Sequence, residues 1–168
     1  MADSVSSVEG GECNLAGYLT GDRALLLDVH SKHEVLDRLI DCLAGSPEVA
    51  SREELAAGVY EREKLMSTGI GLGIAIPHVR LASVSDLAVA AALVPEGIDD
   101  YESLDSMPVR LVLLIAARSD QHAEYLRLLS RLSSKLKDDC FRERLFACGS
   151  SAEFYACLLY TSPSPRDT

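Results

Sequence analysis

Apolar and polar positions follow two patterns along the chain, one typical of buried strands and one typical of helices. Unbroken apolar runs predict strands that are buried on both faces of a sheet. They occupy residues 24–29, 87–94 and 109–117. Apolar residues three and four positions apart predict helices. These occupy residues 32–44, 51 to about 64, and 120–137. The alternation of the two favours an α/β class: a single domain with a central mixed β-sheet and helices on both faces.

Capping residues mark where the helices should begin. Ser31 with Glu34, and Ser51 with Glu54, have the spacing of a capping box, in which each side chain satisfies a free backbone N–H of the other. Single capping residues are also predicted, for the third helix and for two short terminal helices. They are Ser119, Asp138 and Ser151.

A glycine-rich segment interrupts this regular pattern. Residues 67–78 read Ser-Thr-Gly-Ile-Gly-Leu-Gly-Ile-Ala-Ile-Pro-His, and three glycines within five positions exclude a stable helix. Residues 74–76 predict a short strand, so His78 is expected just past a strand end. A polar loop holding Pro95, Gly97 and Pro108 should separate the two long strands.

The two ends of the chain differ from the segment between them. Residues 1–14 are small and polar, which predicts a flexible leader. Residues 157–168 contain two prolines and no apolar periodicity. They are interpreted as a non-native or disordered tail that resembles translated cloning sequence, and the folded domain is predicted to span residues 15–156.

Composition excludes several classes of protein. A net charge of −10 is unfavourable for binding the phosphate backbone of nucleic acid. The five cysteines are odd in number and never occur as Cys-x-x-Cys, so neither a disulfide framework nor a zinc ribbon is indicated. No apolar run approaches the roughly 20 residues that span a bilayer, and no secretory signal is seen. A cytoplasmic protein without direct membrane insertion is therefore expected.

His78 and His122 are the leading candidates for chemistry. Pro77 fixes the backbone before His78, and a strand end would present its imidazole. The alternative is a packed histidine on a structural turn. His122 falls in the first turn of its predicted helix, where exposed N–H groups can meet an anion. Here the alternative is an ordinary helix-start histidine.

Other patterns that could indicate cofactors are weaker. His30 and His33 have a spacing that could seat a metal, but the sequence places no third ligand nearby. The Gly69-x-Gly71-x-Gly73 segment lacks the Gly-Lys-Ser/Thr ending of a nucleotide-binding loop. Neither a metal nor another cofactor is predicted.

The segment from Arg62 to His78 resembles, almost from end to end, the signature of type-2 enzyme IIA of the bacterial sugar phosphotransferase system, the fructose, mannitol and nitrogen-regulatory class. The resemblance extends over residues 15–156 and includes Gly97-Ile98, the run from Pro108 to Ile115, and Gln121-His122.

The resemblance implies a phosphocarrier. His78 would accept a phosphoryl group at Nε2 from the phosphocarrier HPr and donate it to an enzyme IIB, which serves a separate membrane permease, IIC. A neutral imidazole suits this role because it keeps a free lone pair at cytosolic pH. His122 would orient or stabilise His78 without carrying phosphate.

Arg62 and Thr68 complete the implied site. Arg62 stands where the family has an active-site arginine, and a guanidinium suits phosphate well. It could instead be a solvated helix charge. Thr68 is a weaker candidate for a phosphate contact, since Ser or Thr before glycine is also common in turns.

The same residues fit a second role. In a nitrogen-related regulatory protein, phosphorylation of this histidine would change binding to regulators instead of feeding transport. A domain that has lost phosphotransfer is a third alternative, which the joint presence of His78, His122 and Arg62 disfavours. The sugar and the oligomeric state stay open.

Overall fold

Six strands and five α-helices make up residues 15–159, the part of the chain that the computed structural model describes. The strands are β1 (Ala24–Leu26), β2 (Gly69–Gly71), β3 (Ile74–Ala75), β4 (His78–Leu81), β5 (Ala88–Ile98) and β6 (Val109–Arg118). The helices are α1 (Lys32–Ala44), α2 (Arg52–Leu65), α3 (His122–Leu136), α4 (Asp139–Phe146) and α5 (Ser151–Leu159). Two short 3-10 helices, Leu15–Gly17 and Gly21–Arg23, precede β1.

The six strands form one mixed sheet, in which five follow the order β1-β5-β6-β3-β2 and β4 also pairs with β6. β1 is parallel to β5, β5 is antiparallel to β6, and β6 is parallel to both β3 and β4. β2 pairs with β3 in the antiparallel sense. The predicted α/β class and mixed sheet are confirmed.

Each face of the sheet carries its own hydrophobic core. Along β5, Ala88, Ala90, Ala92 and Val94 face one core while Val89, Ala91 and Leu93 face the other. The first core contains the apolar residues of α1 and α2, and the second contains those of α3, α4 and α5. Strands covered on both sides need no polar face, which explains the unbroken apolar runs.

Local capping explains where most helices begin. The Oγ atoms of Ser31 and Ser51 accept hydrogen bonds from the backbone N–H groups of Glu34 and Glu54, each at 3.1 Å. Asp138 caps α4 by accepting from the N–H groups of Cys140 and Phe141. These three predicted caps are confirmed.

Two predicted caps are wrong. α3 begins at His122, three residues after Ser119, with Gln121 in the capping position. Ser151 is already the first residue of α5, and the Oγ of Ser150 accepts from the N–H of Glu153 at 3.1 Å. In both places several neighbouring polar residues could occupy the capping position, and their spacing in the sequence does not show which one does.

Strand boundaries also differ from the prediction. β1 stops at Leu26, whereas β5 continues through Pro95 and Gly97 to Ile98. A register shift between Leu93 and Ile98 absorbs the irregularity, and Gly97 has a φ of 92°, which suits glycine. The polar loop before Pro108 is therefore shorter than expected.

The last helix enters the segment that the sequence assigned to a tail. α5 ends at Leu159, and Leu158 packs in the second core. The predicted leader, residues 1–14, and the rest of the tail, residues 160–168, lie outside the described residues. Within residues 15–159, no helix has both the length and the apolar character needed to cross a membrane.

Candidate active site

His78 lies at an open edge of the sheet. β3 and β4 pair with β6 in one continuous register, with Ala75 opposite Val112 and His78 opposite Ile115. Pro77 stands between them, so the two short strands act as one interrupted strand. β2 pairs with β3 and leaves β4 uncovered. His78 is thus the first residue of β4, a strand that the sequence did not predict, and it follows soon after the end of β3 at Ala75.

The backbone fixes which nitrogen of His78 is free. Nδ1 lies 3.0 Å from the carbonyl oxygen of Ile76. A carbonyl can only accept a hydrogen bond, so in the neutral imidazole the proton sits on Nδ1. Nε2 therefore keeps its lone pair.

The surroundings of His78 favour its neutral form. Burial lowers the pKa of the imidazole below its usual value of 6.5. The hydrogen bond to Ile76 opposes this effect, while the positive charges of Arg62 and Arg80 lower the pKa further. At neutral pH His78 is consequently a free base that can act as a nucleophile.

A depression of about 360 Å³ brings three of the predicted residues together. Its lining includes His78 from β4, Arg62 from α2 and His122 from α3. α2 and α3 belong to opposite faces of the sheet, and both reach this cavity because β4 is the edge strand here. Arg80 and Tyr125 also line it, although the sequence analysis did not single them out.

Arg80 and Tyr125 were missed for different reasons. Arg80 lies two residues after His78 on one strand, so both side chains lie on the same side, but this is evident only once β4 is known. Tyr125 has the helical spacing that is typical of core residues. It is buried, yet its ring also stacks on the imidazole of His78, with centroids 5.1 Å apart.

A second cavity, of about 290 Å³, adjoins the first and is mostly apolar. It shares Arg62, His78 and Tyr125 with the first cavity. The rim carries apolar side chains that are open to solvent: Leu104 is 83% exposed, Met66 67% and Ile70 43%. Exposed apolar patches of this kind commonly bind other proteins.

Two loops that carry this rim are tied together. Ser67 donates from Oγ to the carbonyl oxygen of Glu102 at 2.6 Å, and Gly69 pairs with Ser103. The guanidinium of Arg62 donates to the carbonyl oxygen of Met66 at 3.2 Å, so it anchors the first loop with one of its five N–H donors.

Thr68 belongs to a buried network instead of facing His78. Its hydroxyl donates to the carboxylate of Glu63 and lies 2.8 Å from the hydroxyl of Tyr101. Lys32 completes the network with Nζ 2.8 Å from Glu63 Oε1. Thr68 lines the apolar cavity, but its hydroxyl is already engaged.

Among residues 15–159, one group of side chains could hold a metal ion, and it lies away from His78. Asp28, His30 and Glu96 place one donor atom each within 4.8 Å of one another, and all three are exposed. Val89 and His78 both pair with Ile115, so they lie at the same level of the sheet. Glu96 lies seven residues further along β5 than Val89, a distance of about 20 Å along the strand. His33, the other histidine considered from the sequence, stacks on Tyr60 instead.

A comparison with protein families identifies the domain. Residues 19–160 match the model of the family described as "Phosphoenolpyruvate-dependent sugar phosphotransferase system, EIIA 2". The chain belongs to this family. This confirms the resemblance read from residues 62–78, and the protein is a phosphotransferase-system EIIA domain.

Relatives of this EIIA domain carry two kinds of name. The chain is 37% identical over 126 residues to a fructose-specific EIIABC component of Bacillus subtilis, covering 75% of this chain but 20% of that protein's length. It is 32% identical over 120 residues to a fructose-specific EIIA component of Haloferax volcanii, covering 71% and 77%. A nitrogen regulatory protein of Bradyrhizobium diazoefficiens is 33% identical over 134 residues, covering 79% and 85%.

Solved structures show the same fold. The nitrogen regulatory protein IIA-Ntr of Neisseria meningitidis superposes with a TM-score of 0.77 at 28% identity, covering 84% of this chain and 97% of the other. The mannitol enzyme IIA of Escherichia coli, in its complex with phosphorylated enzyme IIB, gives a TM-score of 0.67 at 27% identity, covering 83% and 97%.

Proposed function

We propose that this EIIA domain is a cytoplasmic phosphocarrier that accepts a phosphoryl group from phospho-HPr on Nε2 of His78 and passes it to an enzyme IIB. The observation that carries the proposal is the hydrogen bond from Nδ1 to the Ile76 carbonyl, which leaves Nε2 as the free nitrogen beside a cavity lined by cations. Family membership supplies the reaction class.

The transfer consists of two displacements on phosphorus. The Nε2 lone pair attacks the phosphorus of the donor, the bond from phosphorus to the donor breaks, and a phosphoramidate forms on His78. A nucleophile of the acceptor, such as a thiolate of enzyme IIB, then attacks the same phosphorus and His78 leaves with its lone pair restored. Phosphoryl transfer of this kind needs in-line positioning and compensating positive charge.

Three side chains would supply this positive charge and hydrogen bonds to the phosphoryl oxygens. The guanidinium groups of Arg62 and Arg80 line the cavity that contains His78, and a guanidinium can bind two phosphoryl oxygens at once. His122 starts α3, so it combines a hydrogen-bond donor with the positive end of a helix dipole. The two guanidinium groups stand out in a chain whose net charge is −10.

The apolar rim supports a protein partner instead of a small molecule. Leu104, Met66 and Ile70 line the same cavity as His78 and are open to solvent. A partner protein could cover this rim and exclude water while its own reactive group reaches His78. The solved complex of the mannitol enzyme IIA with phosphorylated enzyme IIB supports enzyme IIB as one such partner. The domain would act with a separate permease, IIC.

A regulatory role is the second candidate, and the relatives supply a reason for it. The nitrogen regulatory protein of Bradyrhizobium matches over 85% of its length, and the Neisseria IIA-Ntr structure has the same fold. In this role the phosphoryl group on His78 would change binding to a regulatory protein. Both roles share the first transfer and differ in the later fate of the phosphoryl group.

The test of the first transfer is direct. The protein is incubated with phosphoenolpyruvate, enzyme I and HPr, and the acid-labile phosphate is mapped, with His78→Ala as the control. We expect phosphate on Nε2 of His78 and on no other residue. Phosphate on His122 or on a carboxylate would contradict the assignment. Phosphoryl transfer onward to an enzyme IIB favours transport, whereas protein binding that changes with phosphorylation, without onward transfer, favours regulation.

A further inference from the structure

The aromatic ring of Tyr125 lies close to both histidines of the site. Its centroid is 5.1 Å from the His78 ring, at an interplanar angle of 27°, and 6.4 Å from the His122 ring, at 37°. Tyr125 is only 6% exposed, and it lines both cavities beside His78. It follows His122 by three residues, so both side chains lie on one face of α3.

The start of α3, which carries Tyr125, is held firmly. The buried side chain of Gln121 accepts at Oε1 from the N–H of Arg118 at 2.8 Å and donates from Nε2 to Asp86 at 2.7 Å. Gln121 Nε2 also donates to Glu124 at 3.0 Å. The position of the Tyr125 ring is therefore set by the helix start and by packing in the second core.

The stack supplies a constraint that the backbone hydrogen bond leaves open. The second torsion of a histidine has a broad energy minimum, so a single hydrogen bond at Nδ1 permits the ring to rock. An aromatic ring stacked on one face restricts this rocking and defines the plane of the imidazole. Two constraints together fix the direction of the Nε2 lone pair.

We propose that Tyr125 is a positioning residue for phosphoryl transfer, whose ring holds the imidazole of His78 so that Nε2 faces the cavity lined by Arg62 and His122. The inference rests on the proposed function. It concerns the ring and not the hydroxyl, because the contact that the structure shows is between two rings. In-line transfer is sensitive to such alignment, and a displacement of 1 Å can cost about 10²-fold in rate.

Two substitutions separate the effect of the stacked ring from the effect of filling the core with an apolar side chain. Tyr125→Phe keeps the stack, and Tyr125→Leu removes it while keeping an apolar side chain in the core. Tyr60→Leu is a matched control, since Tyr60 stacks on His33 with centroids 5.5 Å apart and an interplanar angle of 21°, outside both cavities. Tyr125→Met is a second variant should the leucine variant fail to fold, as judged by circular dichroism.

The kinetic measurement is single-turnover uptake from phospho-HPr at varied donor concentration. We expect Tyr125→Phe and Tyr60→Leu to stay within about twofold of wild type, and Tyr125→Leu to lose about tenfold or more in the saturating rate with little change in the half-saturating donor concentration. A wild-type rate in folded Tyr125→Leu, or a Tyr125→Phe rate as slow as that of Tyr125→Leu, would overturn the proposal.

The second readout is the NMR spectrum of the unphosphorylated protein, which does not depend on transfer. A stacked ring shifts the carbon-bound protons of His78 upfield, and this shift should persist in Tyr125→Phe and vanish in Tyr125→Leu. The pKa of His78 should also rise toward 6.5 in Tyr125→Leu as water reaches the ring. The charged groups that shift the pKa of His78 are unchanged in every variant: Arg62 and Glu63 from α2, and Arg80 from β4. His122 from α3, which lines the same cavity, is also unchanged.

The two hypotheses fail in different ways. If wild-type protein takes up no phosphoryl group, the proposed function is wrong, and the NMR shifts alone decide whether Tyr125 orients His78. If wild type is active and both readouts are unchanged in Tyr125→Leu, the positioning role is wrong and the proposed function stands.

Discussion

The two histidines of the site differ in how they are held, which gives them different expected roles. His78 is half-buried, with one nitrogen bonded to the backbone, whereas His122 is exposed at the start of a helix. A group that carries the phosphoryl needs a defined lone pair. A group that only stabilises the charge on the transferring phosphoryl group needs a hydrogen-bond donor within reach of that group.

This difference predicts unequal effects of two substitutions. His78→Ala should abolish the covalent intermediate, while His122→Ala should slow uptake by about 10²-fold, as loss of one donor does at other charge-stabilising sites. Rapid-quench measurement with phospho-HPr tests both. His33→Ala, which alters a histidine outside the cavity, is the control, and circular dichroism checks folding. A wild-type rate in His122→Ala would reduce His122 to a structural helix-start residue.

The lowered pKa of His78 predicts how rate and stability depend on pH. Well above pH 6.5 the imidazole is neutral in both the folded and the unfolded chain, so its contribution to stability is complete. As the pH falls below 6.5, the unfolded chain binds a proton before the folded chain does, and the free energy of unfolding falls until the lowered pKa is passed.

The corresponding measurements are an NMR titration of His78 and urea unfolding between pH 5 and 7.5. The titration midpoint should lie below 6.5, and the ability to accept phosphate should persist to that lower pH. His78→Ala should reduce the slope of stability against pH in this window. A midpoint at or above 6.5 would contradict the effect of burial.

At the scale of elements, the start of α3 depends on Gln121 and not on the residue predicted to cap it. Gln121→Ala removes hydrogen bonds to Arg118, Asp86 and Glu124 in a buried position, which should lower the free energy of unfolding by about 1–3 kcal/mol. Ser119 is exposed, and Ser119→Ala should change it by less than about 0.5 kcal/mol. Urea denaturation measures both, and equal effects would contradict this account of the helix start.

The joined loops beside the site depend on a glycine. A Cβ at Gly69 would lie 2.2 Å from the carbonyl oxygen of Glu102, a backbone atom that cannot move alone. Gly69→Ala should therefore separate the loops and cost about 1–3 kcal/mol, with loss of phosphoryl uptake. Gly45→Ala is the control, since its Cβ would meet nothing closer than 3.6 Å. Similar melting temperatures for the two variants would show that the loops adjust freely.

Helices were predictable where their signals are local, whereas two of the short strands, β2 and β4, were not. The bounds of α1 follow from the Ser31 cap and the apolar spacing, both contained in the segment itself. β2 and β4 have three and four residues, and they are strands only because β3 and β6 lie beside them. β4 pairs with a strand much later in the chain, and the two glycines of β2 have low strand propensity, so neither run carries a strand signal of its own.

The residues of the candidate site also divide into those that the sequence identifies and those that it does not. His78, Arg62 and His122 could be named because a long motif and a helix start identify them, and the structure gathers them in one cavity. The hydroxyl of Thr68 is bonded to the buried carboxylate of Glu63, a contact that the sequence does not indicate. Tyr125 shows the usual core spacing, and only the packing of α3 against the edge of β4 reveals its contact with His78.

For the whole molecule, the apolar rim should determine affinity for protein partners. Leu104→Glu places a charge on the most exposed rim residue, next to the cavity of His78, and should raise the half-saturating concentration of phospho-HPr about tenfold, or about 1.4 kcal/mol. Met107→Glu, on the same loop but lining a different cavity, is the control. Stopped-flow uptake at varied donor concentration measures both, and equal effects would contradict docking at this rim.

The hydrogen bond between His78 and Ile76 also bears on how the domain can change over generations. The acceptor is a main-chain carbonyl, which every amino acid possesses, so no side-chain replacement at residue 76 deletes it. Substitution at residue 76 therefore does not change which nitrogen of His78 is free. The roles proposed for Arg62, His122 and Tyr125 depend on side chains and have no such protection. Diverging lineages should therefore alter the rate or the partners of the domain more readily than the atom proposed to form the bond.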